Sequence, residues 1–178
     1  MAEKKALRFK IGDWVVHYTY GVGKVIDIVD RDLDGHRDTF FKVSTGEIEY
    51  WLPSEKADAD HIKAVRSEKE FNQALTIISK PPELMLESPT RIKRLINERW
   101  LDGSLPARAA LLRDLNGYNN IKKLSYDEKK TFEKAENNFI DEWIISTPSL
   151  SRPQAKKRLT EALTASIQTK AFTPQNLG

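Results

Sequence analysis

From Phe9 to Pro53 the chain reads FKIGDWVVHYTYGVGKVIDIVDRDLDGHRDTFFKVSTGEIEYWLP, a stretch dominated by β-branched residues, aromatics and glycine. Its apolar runs are short and separated by turn chemistry, the pattern of several short antiparallel strands. The runs fall at residues 14–17, 22–29, 39–43 and 48–52. Residues 32–38 read as a polar turn around Gly35, and Thr45-Gly46 joins the last two runs. Pro53 has no N–H to donate and ends the ladder. A fifth strand is expected over residues 61–65. Four or five strands of this length with tight turns between them fit a small SH3-like or Tudor-like β-barrel.

Trp14, Tyr18, Tyr20, Phe40, Phe41, Tyr50 and Trp51 all lie in this module. Phe40 and Phe41 are adjacent, as are Tyr50 and Trp51, and neighbours on a strand point to opposite faces. One of each pair must therefore leave the core. An exposed aromatic beside a strand edge is a protein-docking surface, unless the helix that follows covers it.

Enzyme chemistry finds little support. The absence of cysteine removes thiol nucleophiles, disulfides and thiolate metal sites, and suits a cytosolic protein. His17, His36 and His61 are scattered, with no metal-ligand spacing such as HExxH. Gly21-Val22-Gly23-Lys24 is not a phosphate-binding loop: Tyr18 stands where the earlier glycine is needed, and Val25 where Ser or Thr should follow. Asp27, Asp30, Asp32, Asp34 and Asp38 lack calcium-loop spacing. No catalytic residue, metal or cofactor is expected. No apolar run approaches the roughly 20 residues of a membrane span, and MAEKKALRFK lacks the apolar core of a secretory signal.

Beyond residue 66 the period changes to that of helices. Ser67 and Glu70 form a capping box ahead of Phe71, Ala74, Leu75 and Ile78. Pro81-Pro82 ends that helix, and residues 80–87 are read as a hinge. Ser88-Pro89 starts the next helix, with Gly103 as its C-cap. A third helix runs from Ser104 to a stop at Gly117, followed by a basic loop over 118–123. Ser125 and Glu128 open the longest helix, and Ser151-x-Pro153 opens the last, which continues to about residue 166. The expected organisation is a flexible arm (1–8), a barrel (9–66), a connecting helix and hinge (67–87), a helical domain (88–166) and a tail (167–178). The class is α+β: a small β-barrel followed by an all-helical domain.

The net charge of +3 hides an asymmetry, since residues 89–134 carry 11 Lys+Arg against 6 Asp+Glu. That suits an anionic partner, or an ordinary lysine-rich helical surface. Arg91 and Arg94 are i, i+3 neighbours near a helix start. Lys129 and Lys130 sit in the first turn of the longest helix, where positive charge opposes the helix dipole. Contact with phosphate would account for that placement.

These residues resemble a known family. The pattern F-K-x-G-D-x-V-V-H-x-x-x-G-V-G-x-V, then T-x-F-x-V and Y-W-L-P, is similar to the RNA-polymerase-interacting domain of the CarD family, which transcription-repair coupling factors also carry. Arg113-Asp114-Leu115, then Leu124-Ser125-x-x-Glu128-Lys129 and Ala135, resembles the helical domain of the same family. The likeness spans about residues 9–166, and no helicase motif accompanies it. It implies a non-enzymatic bacterial transcription regulator, a cytoplasmic monomer associated with the nucleoid through RNA polymerase. Its barrel would dock on the polymerase β subunit through Arg31, Phe41, Trp51 and Pro53. Its helical domain would contact promoter DNA through Pro89, Arg91, Arg94, Arg113, Lys129 and Lys130 and alter open-complex stability.

One departure is Pro89, which stands where the family carries a tryptophan that wedges against the minor groove. Trp100, about three turns along the same helix, does not replace it. Two alternatives remain: a polymerase-binding module without DNA wedging, and a Tudor- or KOW-like protein that stacks RNA bases on barrel aromatics.

Overall fold

The computed structural model describes residues 7–17, 19–33, 36–55, 62–83 and 88–169. The chain divides into two compact units, Met1–Val65 and Arg66–Gly178. The first is a five-stranded antiparallel sheet: β1 (Trp14–His17), β2 (Gly21–Leu33), β3 (His36–Ser44), β4 (Glu49–Pro53) and β5 (Ile62–Ala64). The strand order is β4-β3-β2-β1-β5. The expected barrel is thus an open sheet, with β4 and β5 as its two edges. Yet Leu52 of β4 and Ile62 of β5 share one core with Phe9, Val15, Val25, Phe41 and Val43, so the sheet curls far enough for both edges to reach it.

Two local features set this curl. A register shift between Val25 and Asp27 bulges β2 against β3, which increases local twist. Gly23 lies against β3 so closely that a Cβ there would stand 2.6 Å from a methyl of Val43. The glycine pair at 21 and 23 therefore serves a turn and a close strand approach, not a phosphate. The expected turn over 32–38 proves shorter: Arg31 pairs with Asp38, Asp32 with Arg37 and Leu33 with His36. Residues 34–35, with the Gly35 turn, lie outside the described residues.

Among its described residues the second unit holds five helices: α1 (Glu68–Ile78), α2 (Pro89–Asp102), α3 (Leu105–Ile121), α4 (Tyr126–Ser146) and α5 (Arg152–Gln168). Each begins as its residues dictate. Ser67, Ser125 and Ser151 complete capping boxes, while Ser88 and Ser104 cap helices with proline in the first turn. Gly103 closes α2 with φ 62°, the left-handed value that glycine adopts freely. Gly117 does not stop α3. The helix carries it, buried, through to Ile121 because Leu111, Leu112, Leu115 and Tyr118 bury around it. α3 packs against all four other helices, and that burial outweighs the cost of one mid-helix glycine, about 1 kcal/mol.

The connecting helix is also corrected. Phe71, Ala74 and Ile78 of α1 belong to the same core as Leu112, Phe139, Trp143 and Leu159. α1 is part of the helical unit, not a linker to it. The expected hinge over 80–87 begins inside this unit: the Glu83 N–H donates to Asp114 Oδ1 at 2.9 Å. Residues 84–87 lie outside the described residues, as do 1–6 of the arm, His61 and 170–178 of the tail.

Candidate functional site

The strand register sorts the residues of the first unit onto two faces. Phe41 lies opposite Ile28 and Leu52, and the residues beside it therefore point the other way. That outer face carries Phe40 opposite Val29 and Pro53, Lys42 opposite Trp51, and Arg31 opposite Asp38. Trp51 is 37% exposed. The Arg31 guanidinium sits 4.2 Å from the centre of its indole, and Lys42 Nζ 5.8 Å away. Lys42 is also held by Glu49 at 2.6 Å. A cation on an exposed indole face contributes roughly 0.5–1 kcal/mol, which biases Trp51 toward this orientation.

Arg31, Trp51 and Pro53 thus share a face, on and beside the edge strand β4. Phe41 does not join them. It is 1% exposed and meets Phe9 edge-on at 5.9 Å, inside the sheet's core. The aromatic next to it, Phe40, occupies the outer face instead, half-buried beside Pro53. Pairing Phe40 with Pro53 and Lys42 with Trp51 by the two-residue period would have found both.

At the β1–β2 turn, His17 Nδ1 accepts from the N–H groups of Thr19 at 3.0 Å and Tyr20 at 3.2 Å. Its ring stacks on Tyr20 at 4.6 Å, and Tyr20 lies 4.8 Å from Tyr50. Burial, reinforced by Tyr20, pushes the Tyr50 phenol up to about 12. His17 is therefore a turn-forming residue.

In the second unit, burial separates structural cations from surface ones. Arg113 is 3% exposed. Its Nε donates to Asp114 at 2.7 Å, and its Nη2 reaches Asp114 at 3.1 Å and Glu83 at 3.1 Å. Burial works against the charge of Arg113, but these carboxylates more than offset it and hold its pKa above the ordinary value. Arg99 pairs with the same Asp114. A second cluster surrounds Glu142, which is fully buried. Arg66 donates to it through its backbone N–H at 3.0 Å and its guanidinium at 2.9 Å, and Arg108 at 3.2 Å. Burial pulls the Arg108 pKa down, with Glu142 opposing. Arg113 is thus withdrawn from the expected DNA-facing set: its side chain is spent on Asp114.

The remaining cations are on the surface. Pro89, Arg91, Arg94, Lys129 and Lys130 are all exposed, within the first two turns of α2 and α4. Arg94 pairs with Glu98 at 3.5 Å and Lys129 with Glu133 at 4.0 Å, both as i, i+4 neighbours. Such exposed pairs are worth only about 0.3–0.5 kcal/mol, so either cation can exchange its glutamate for a phosphate. Among the described residues no cluster of His, Asp or Glu could hold a metal, and no helix is long and apolar enough to cross a membrane.

Comparison with known families matches residues 9–62 to the CarD-like/TRCF RID domain and residues 73–160 to the CarD C-terminal domain. A comparison with curated proteins gives no match. The first match covers the sheet unit and the second the helices, in the family's order, and both are regulatory interaction domains rather than catalytic ones. The chain is a transcription-related, RNA-polymerase-binding protein, and it belongs to the CarD family.

Proposed function

We propose that this protein bridges the β subunit of RNA polymerase and promoter DNA, and so changes the lifetime of the open complex. The observation that carries the reading is Trp51 on edge strand β4, exposed, with the guanidinium of Arg31 from β2 over its indole. Edge strand β4 offers main-chain hydrogen bonds to an added strand. Trp51, Phe40 and Pro53 offer apolar area beside it, and Arg31 a charge. Aromatic and arginine side chains are the usual anchors of such contacts. The DNA half rests on Arg91, Arg94, Lys129 and Lys130, all exposed, with Arg94 and Lys129 in weak i, i+4 pairs.

Pro89 favours a second reading for that half. It is the first residue of α2, and its ring serves as a helix start. Proline has far less surface than an indole for prising a base step apart. The reading it supports is phosphate contact without a wedge at this position.

A pull-down with the polymerase β subunit tests the first half. The wild-type chain is expected to bind, and Trp51→Ala and Arg31→Glu to weaken binding about ten-fold or more. A wild-type chain that fails to bind would sink the proposal. An open-complex lifetime assay on one promoter, with and without the protein, tests the second: an unchanged lifetime leaves polymerase binding alone.

A further inference from the structure

A groove of about 340 Å3 runs between α2 and α4, with Asn97 and Trp100 on one side and Asp127, Lys130 and Lys134 on the other. Trp100 is half-buried. One part of it packs on the helical core, and Lys134 Nζ stands 5.4 Å from its ring centre. Tyr126, which opens α4, is 78% exposed, and Lys130 Nζ lies 5.8 Å from its ring. Tyr126, Lys130 and Lys134 recur every four residues and form one stripe. Of this stripe, Lys130 and Lys134 line the groove with Trp100 across from them, so one ring stands beside two ammonium groups, while Tyr126 continues the stripe outside the lining.

One ring beside two ammonium groups matches one nucleotide of a strand, a flat base flanked by phosphates. The volume lies at the low end for small-ligand sites, about 300–1,000 Å3, which suits one base and not a peptide helix. The carboxylate of Asp127 repels phosphate but accepts from the exocyclic amine of a base, and the Asn97 amide can do both. The base therefore belongs inside and the phosphates at the lysines. A duplex keeps its base faces stacked, so only an unpaired nucleotide can reach the indole. Lys93 and Arg94 precede Asn97 by four and three residues, which continues the positive surface along α2.

We propose that this groove holds an unpaired nucleobase of promoter DNA, stacked on Trp100, with its flanking phosphates on Lys130 and Lys134. The inference rests on the DNA-contact reading above and deepens it: the protein would recognise melted DNA, through a tryptophan well along α2 from Pro89.

The test is fluorescence anisotropy of the full chain at low salt. Two labelled DNAs are used, identical except that one carries a mismatched bubble. The wild type is expected to prefer the bubble by about five-fold or more, the scale of one stacked base. Trp100→Ala removes that preference and leaves duplex binding unchanged, and Trp100→Phe keeps most of it. Lys130→Ala with Lys134→Ala, exposed side chains whose loss opens no core, also lowers bubble binding. Equal affinity of the wild type for bubble and duplex overturns the proposal. So does an equal loss on both DNAs in Trp100→Ala that phenylalanine does not restore. Tighter binding of the matching single-stranded RNA overturns the assignment to DNA. Duplex binding that falls in Lys129→Ala without any bubble preference sinks this inference alone, whereas no binding to either DNA sinks the DNA-contact reading with it.

Discussion

Phe41 and Trp51 show how a single position decides between folding and binding. Both are aromatic and both lie in the same pair of strands, with Phe41 opposite Leu52 and Trp51 opposite Lys42. The first fills the sheet's core, and the second stands out under Arg31. Truncating them should have opposite signatures. Phe41→Ala empties a packed site and is expected to cost about 3–5 kcal/mol of stability, read as a drop in the denaturant midpoint. Trp51→Ala should leave that midpoint nearly in place while weakening polymerase binding. A Phe41→Ala chain as stable as the wild type would contradict its place in the core. Arg113 makes the same point for charge. In sequence it is one more arginine in a basic half, but Asp114 beside it is fully buried. A buried carboxylate needs a partner, and removing that partner typically costs about 3–5 kcal/mol.

The helices were the most legible elements because their starts are written in local chemistry. A serine with proline one or two residues on, or glutamate or glutamine three residues on, marks all five described helices, and all five begin there. Strand ends were harder. Asp32 and Asp38 look like turn residues, yet both sit in the β2–β3 ladder. Gly117 misled for a tertiary reason, since nothing local reports how deeply α3 is buried. Of the candidate surfaces, the polar cations of α2 and α4 were readable as helix-start residues. The contact of Trp100 with Lys134 was not, because it depends on how α2 and α4 pack. The exposed cations make an element-scale prediction. Each phosphate contact that is lost should reduce the slope of log affinity against log salt by about 1. Arg94→Ala on α2 and Lys129→Ala on α4 should therefore flatten the salt dependence of DNA binding additively, while Lys156→Ala on α5, equally exposed, should not. A slope indifferent to Arg94 and Lys129 would remove these helices from the DNA surface.

For the whole molecule, the decisive feature is where the two units part. The division falls between Val65 and Arg66, and Arg66 is locked to the second unit on three sides: its backbone N–H and one guanidinium nitrogen bind Glu142, and the other nitrogen donates to the Gly103 carbonyl at 2.7 Å. The helical unit thus begins at a fixed residue, and each unit has a core of its own. Cutting the chain at that point removes the connection while leaving both cores intact. Residues 1–65 and 66–178, made separately, should each fold, and the first should bind the polymerase β subunit about as well as the full chain. Arg66 must stay with the second piece, because among the described residues its loss leaves Glu142 with Arg108 alone. A bridge, however, gains from linkage: once one hand is bound, a short tether holds the other at an effective concentration on the order of mM. The separated second unit must instead find promoter DNA from bulk solution, where exposed lysines and arginines alone hold it weakly at physiological salt. Mixing the two pieces at micromolar concentration should therefore leave the open-complex lifetime where it stands with the first piece alone, while the intact chain changes it. If the mixture matched the intact chain, the connection would contribute nothing, and the two units would act on transcription as independent ligands rather than as a bridge.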